Sequence, residues 1–560
     1  MALVRGSNHP GSNPSICSAS MACDMKNFDS ARRDLLRLSS MGLAASAVSA
    51  IPAFAASKKT AAQPLAPMLF DVRTFGATGD GKTVDSPAIN KAIEAAAAVG
   101  GGTVFFPAGN YVSFSIRLKS HVDLYLSQGC AIIAADSPLP NQTTGYMGGV
   151  YDAAEPDPAW EKYQDWGHNH WHNSLLWGEG ISDFSITGPG LLWGKGLSFG
   201  ADRAARGNYP KYTAEQAGVG NKAIGLKNCH NVVLRDFSIL KGGHFGMLVT
   251  GVDNLTIDNL KIDTDRDGMD IDCCRNVRVS NCYINAPWDD GICPKSSFAL
   301  GYARPTQNVT ICNCYVSGCW ELGSLLDGSY KRRSNGGGGR IKCGTESNGG
   351  FINIAISNCV FEGTQGIALE TVDGALLEDI AISNITMRDI TSCPIFLRLG
   401  ARLRGPAEST KVGTLRRVLV TNLNCYNSGA RFGSILSGIP GYFIEDVKIS
   451  DFFVQNAGGG AANMVDIHPP EDENKYPEPG MFGATPSHGF YLRHIKNIEM
   501  SHVEVKPAAP DPRPSIYLDD VHRADFIAIT APSTPTAFSI NRSSDVRILL
   551  SRAAPDSITP

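Results

Sequence analysis

Three aspartates at a fixed spacing carry the chemistry this sequence suggests. Asp267 opens the segment Asp267-Gly268-Met269-Asp270-Ile271-Asp272, and Asp289 and Asp290 stand in Trp288-Asp289-Asp290-Gly291, 22 and 23 residues further on. Carboxyl groups that share a site raise one another's proton affinity, so one keeps a proton while its neighbours stay ionised. A proton donor beside a carboxylate that activates water is the pairing that glycosidic cleavage requires. Trp288 offers a ring on which a sugar stacks, and Lys295 offers a cation for a substrate oxygen or a neighbouring carboxylate. Aspartates also build turns, and Trp288 would serve equally well in a core. The chemistry therefore depends on elements that bring the three acids together.

Those elements are written as a repeat. From about Lys222 onward an Asn or Asp opens a short alternating apolar stretch: Asn231-Val232-Val233-Leu234, Asn254-Leu255-Thr256-Ile257, Asn276-Val277-Arg278-Val279, Asn308-Val309-Thr310-Ile311 and Asn353-Ile354-Ala355-Ile356, with later copies at Asp379, Asp446, Asn497 and Asp545. The first two steps are 23 and 22 residues. Period-2 alternation marks strands with one buried face, and the step leaves no room for a crossover helix in each unit. The strands must stack coil on coil, which predicts an all-β chain, a right-handed parallel β-helix. Leucine-rich repeats share the period, but their Leu and Asn template is missing. Stacked strands lie about 4.8 Å apart, so a one-coil step superposes Asp267 on Asp289 and Asp290. Ahead of the repeats, Ser86 is the expected N-cap of a short capping helix with Pro87 at its first position. That helix should run to about Val99, where Gly100-Gly101-Gly102 closes it, with the first solenoid strand at Thr103 to Phe106.

Composition narrows the partners. The 560 residues are 43% hydrophobic and 19% charged, with 59 Gly, and a net charge of -4 provides no basic field for nucleic acid. Residues 1–56 read as a cleaved twin-arginine signal region: Arg32-Arg33 precedes the small, apolar run Met41 to Phe54 and the A-x-A site Ala53-Phe54-Ala55. Met21 and Met25 offer later starts. Residues 57–560 are then a single β-helix catalytic domain, periplasmic or secreted, and no later stretch has the length of a membrane span. The 15 cysteines are expected as free thiols, because that route carries already folded chains. Cys229, Cys282, Cys314, Cys359 and Cys425 each follow an Asn, as stacked small hydrophobes would. Paired C-x-x-C spacing is absent, so neither metal nor cofactor is expected.

The chain resembles family 28 of the glycoside hydrolases, the polygalacturonase family, from roughly Phe70 to Val505. The carriers are Phe75-Gly76-Ala77-Thr78-Gly79-Asp80-Gly81, Ile186-Thr187-Gly188-Pro189-Gly190, Asp267-Gly268 in place of an N-T-D-G motif, and Asp289-Asp290-Gly291 followed by Lys295-Ser296. The resemblance implies inverting hydrolysis, with Asp289 as general acid and Asp267 with Asp290 as the water-activating pair. Two family motifs are altered. Gly339 stands at the histidine of G-H-G, and Ala368 and Glu370 stand where an Arg and a Lys would grip a galacturonate carboxylate. Either the cation has moved, to Arg340, Lys342 or Arg398, or the sugar is neutral and Glu346 and Glu370 bind its hydroxyls. Between these, the reading preferred is a pectin-derived substrate with an altered subsite, galacturonan or rhamnogalacturonan in type. His244 is a further candidate contact. Trp166-Gly167-His168-Asn169-His170-Trp171-His172 and the segment Asp466 to His488 are candidate cleft walls, and a zinc site in the former would need a further acidic or histidine ligand. Two other functions fit the same residues: a polysaccharide lyase whose aspartates hold Ca²⁺, and a carbohydrate-binding solenoid without catalysis.

Overall fold

The computed structural model describes residues 68–199, 212–334, 337–429, 431–533 and 536–560. Residues Leu65–Pro560 form one compact unit, and the expected signal region lies outside the described residues. The unit is a parallel β-helix. Each coil contributes strands to stacked ladders in which every neighbour is the strand one coil away, as in Asn254's strand Asp253–Asp258, which pairs in parallel with His230–Arg235 on one side and Arg275–Ser280 on the other.

The repeated Asn is the corner of each coil. Asn231, Asn254, Asn276, Asn308 and Asn353 all take left-handed backbone angles (φ 54° to 57°), which Asn tolerates better than other side chains. Their side chains form a continuous ladder: the amides of Asn254, Asn276, Asn308 and Asn353 each donate to the Oδ1 of the Asn one coil earlier, over 2.9 to 3.2 Å, and Asn231 donates to Asp183. The apolar positions that follow, such as Val232, Leu255, Val277, Val309 and Ile354, point inward and are buried. The Asn-Cys cysteines stack in the same interior, and no disulfide links the described cysteines. In the later coils two strands fuse into runs such as Leu376–Ile390, Thr414–Ser428 and Ile444–Gly458.

The N-terminal end departs from expectation in two details. The helix spans Ser86–Ala98, so Asp85 rather than Ser86 occupies the N-cap, and its carboxylate turns away to accept the backbone N–H groups of Thr78 (2.7 Å) and Gly79 (3.0 Å). Stacking begins before Thr103: Leu69–Asp71 already pairs with Gly102–Phe106. At the other end, Ser557–Thr559 folds back antiparallel on Ser544–Leu549. Among the described residues no helix is long and apolar enough to cross a membrane.

Candidate active site

One coil step brings the three aspartates together. The strand Asp267–Asp272 pairs in parallel with Ile292–Lys295, Met269 opposite Ile292, and the N–H of Gly268 donates to the carbonyl of Asp290 over 2.9 Å. Glycine is required at 268, since a Cβ there would meet the carbonyl oxygen of Gly291 at 2.4 Å. Met269 and Ile271 fill the core, so Asp270 and Asp272 face outward. Asp272 is absorbed by Ser297, whose N–H and hydroxyl it accepts.

The three carboxyls differ sharply in surroundings. Asp289 is the outermost, with 21% of its side chain exposed, and receives a bond from Arg266 Nε over 3.3 Å. Asp267 is buried; burial, then the charges of Asp289 and Asp290, push its carboxyl up to about 7 against the opposing pull of Lys295. Asp290 is buried as well, and burial alone would raise it. Arg340 and Lys342 outweigh that: the guanidinium Nε of Arg340 donates to Asp290 Oδ1 and Lys342 Nζ lies 2.7 Å from Oδ2, which holds this carboxyl well below the usual range. One acid that keeps its proton near neutrality thus sits beside one that stays ionised.

A second tier of charge surrounds them. Lys295 Nζ lies 3.7 Å from Asp267, 3.8 Å from Asp270 and 3.3 Å from Glu346. Glu346 also receives Arg404 over 3.0 Å. His168, carried in by the aromatic and histidine-rich loop, comes within 3.8 Å of Asp270 and 3.9 Å of Glu346. Arg340 reaches past Asp290 to Glu478, and Tyr476 bonds to Thr345 over 2.9 Å, so the segment Asp466 to His488 stands at this site. Glu370 is fully buried with neither oxygen hydrogen-bonded, and burial pushes it up to about 8 despite Lys342 and Arg340. Asp270, Asp265 and one oxygen of Asp267 likewise lack hydrogen-bond partners. Buried polar atoms left this way mark a place for water or a ligand.

The remaining candidates fall differently. Arg398 lies one coil beyond Glu370 in register, yet its guanidinium donates to Ser437 Oγ, Gly438 O, and the carbonyls of Glu471 and Asp472. Both of its terminal nitrogens are thereby engaged in clamping a loop. Arg340 and Lys342 likewise spend their charge on Asp290 and Glu478. His244 packs against Arg266, 3.2 Å from Nε2 to the guanidinium. Trp288 is half-buried and takes the Arg333 guanidinium over its ring at 4.5 Å. Arg266, Asp270 and Arg404 were not among the candidates, and Glu478 was covered only as part of the Asp466 to His488 segment; Arg266 and Asp270 had a sequence signal, their place in the Asp267 motif.

Comparison with known proteins agrees with this architecture. A family model described as rhamnogalacturonase A/epimerase, pectate lyase-like, matches residues 69–151, and one described as right handed beta helix region matches residues 222–400. A probable polygalacturonase from Vitis vinifera is 24% identical over 245 residues, 42% of this chain and 46% of that protein. The chain therefore matches less than half the length of that relative. A mannuronan C5-epimerase from Azotobacter vinelandii is 58% identical over 45 residues, 8% of this chain and 3% of the epimerase. Among solved structures, an exopolygalacturonase from Thermotoga maritima superposes with a TM-score of 0.56 at 17% identity, over 78% of this chain and 92% of that one. A family 28 exopolygalacturonase from Yersinia enterocolitica gives 0.56 at 16% identity, over 88% and 79%. Coil register and these matches together show that the chain is a right-handed parallel β-helix, similar in fold to these exopolygalacturonases.

Proposed function

We propose that the protein is a glycoside hydrolase that cleaves a pectic polysaccharide or oligosaccharide, galacturonan or rhamnogalacturonan in type, with inversion. The observation that carries this reading is the unequal trio: Asp267 pushed up to about 7, Asp290 held ionised by Arg340 and Lys342, and Asp289 outermost. Asp267 holds a proton near neutrality beside Asp289. Asp289, nearest the solvent, delivers that proton to the leaving oxygen. Asp267, thereby ionised, and Asp290 take the proton of the attacking water, whose oxygen joins the anomeric carbon as the glycosidic bond breaks.

The surrounding charge favours a neutral sugar at the Glu370 subsite. Lys295, Arg340, Lys342 and Arg398 each already face carboxylates or carbonyls of the protein. Glu370, protonated up to about 8, has a hydroxyl to donate to a sugar oxygen. A rhamnose-containing segment fits this better than a galacturonate carboxylate. A Ca²⁺-dependent lyase fits less well, because Lys295, Arg340 and Lys342 stand among the acids that would hold the ion. We also propose export by the twin-arginine route, which cell fractionation tests.

The test is incubation with homogalacturonan, rhamnogalacturonan and neutral polysaccharides, following reducing ends and ultraviolet absorbance together. Hydrolysis yields reducing ends without the absorbance of a new C=C bond; absorbing products would show a lyase instead. Asp289→Asn should lower kcat by about 10²–10⁴-fold with binding retained, whereas a binding protein without catalysis would show no turnover to lose.

A further inference from the structure

The loop that carries His168 to the acids contains a second group of polar side chains, away from the aspartates. His170 is fully buried, and its ring lies flat against that of Trp166, centroids 4.0 Å apart and planes 17° from parallel. Its Nδ1 lies 2.8 Å from the carbonyl oxygen of Trp166. A carbonyl only accepts, so Nδ1 carries the proton, and in the neutral ring Nε2 presents its lone pair. That nitrogen makes no hydrogen bond: Asp157 Oδ1 stands 3.2 Å away but off a hydrogen-bonding line. Ligand atoms of Asp157, Glu161 and His170 all lie within 4.8 Å of one another.

We propose that Asp157, Glu161 and His170 bind a divalent transition-metal ion. The donor set is one imidazole nitrogen and two carboxylates, which suits Zn²⁺ and its neighbours and not the all-oxygen preference of Ca²⁺ or Mg²⁺. Ligands about 2.0–2.2 Å from one ion are separated by at most roughly 4.4 Å, so the three need only a small inward movement. The supporting contacts are those that orient metal ligands. The Trp166 carbonyl fixes the histidine tautomer, Asn169 Nδ2 donates to Glu161 Oε2 over 2.9 Å, and buried Lys222 Nζ anchors the His170 carbonyl over 2.6 Å. A cavity of about 490 Å³ adjoins the group on one side, its lining including Asp157 and Trp166.

The ion would not take part in bond cleavage. It would pin the segment from Asp157 to His170, and with it Gly167, which packs on His244, and His168, which faces Asp270 and Glu346. Metal would thus set the position of one wall of the carboxylate site.

The experiment uses the untagged full chain, stripped with chelator and titrated with Zn²⁺, Ca²⁺ or Mg²⁺ by calorimetry, with thermal unfolding in parallel. Saturable binding of a single Zn²⁺ and a higher Tm are expected, with Ca²⁺ and Mg²⁺ far weaker. Asp157→Asn and Glu161→Gln, at positions outside the core, should each weaken Zn²⁺ by about 10–100-fold while leaving the circular dichroism unchanged. Co²⁺ in place of Zn²⁺ should give a visible absorption band that His170→Ala removes. Absence of saturable Zn²⁺ binding overturns the proposal, as does an affinity that both carboxylate variants leave intact, or Ca²⁺ binding as tightly as Zn²⁺. An imidazolium of His170 paired with Asp157 would produce the first of these results. None of the readouts depends on turnover, so the outcome stands apart from that of the glycosidase reading.

Discussion

At the scale of single residues, proton affinity separates the acids. Asp267 keeps its proton to about 7 because it is buried beside two other carboxyls, and that proton leaves as pH rises. The expected result is a kcat/KM that falls as pH rises through about 7, measured on any active substrate; Asp267→Asn should lower kcat by about 10²–10⁴-fold at every pH. Glu370 offers a complementary check. As a neutral donor it is mimicked by Gln, so Glu370→Gln should leave kcat/KM within about threefold, whereas Glu370→Ala should lower it by about tenfold or more through the unpaired sugar oxygen left behind. The meeting of Asp267 with Asp289 and Asp290 was readable from spacing, because a coil step converts directly into a contact. The ion partners were not. Arg340 meets Glu478 across 138 residues through a loop that carries no repeat, and His168 reaches Asp270 from an insertion with no register to count.

At the scale of elements, the coil turn and the inserted loops obey different rules. Stacking of Gly268 on Gly291 leaves no space for a methyl group, so Gly268→Ala should destabilise the fold by about 1–3 kcal/mol, read from denaturant unfolding. Arg398 and Arg493 together grip the carbonyls of Pro469, Pro470, Glu471 and Asp472. Arg398→Met should loosen this segment, seen as faster proteolysis within residues 466–488 and a raised KM through displacement of Tyr476 and Glu478. Counting coils did place Arg398 beside Glu370, and the backbone register agrees. Register fixes where a strand residue stands; which acceptors its long side chain finds is decided by loops. The N-cap shows the same limit: Asp85 precedes Ser86 with an equally suitable oxygen, and its commitment to the Thr78 and Gly79 amides is a tertiary matter.

Across the whole molecule, burial of acids makes stability depend on pH. Asp263, Asp265, Asp267 and Glu370 are raised by burial to about 6, 7, 7 and 8. The folded state therefore holds protons that the unfolded chain has released by about pH 5. Stability should fall as pH rises, most steeply between about pH 5 and 6.5, and more gently above that as the folded-state carboxyls lose their own protons. Buried His168 and His488, held down to about 4, offset part of this between about pH 4 and 6.5, and Lys222, held down to about 7, offsets it mainly above about pH 7. Thermal unfolding across this range, with a lower Tm at the alkaline end, checks the sign. Because the described cysteines are free, and all but Cys312 buried, a reductant should leave Tm unchanged. The antiparallel return of Ser557–Thr559 has a consequence for behaviour in concentrated solution. A stack of parallel strands ends in a row of unsatisfied amides and carbonyls, onto which another molecule's first rung would dock. Reversing the chain over Ser544–Leu549 covers part of that template with a strand of the wrong polarity, which disfavours docking of a neighbour's parallel rung there.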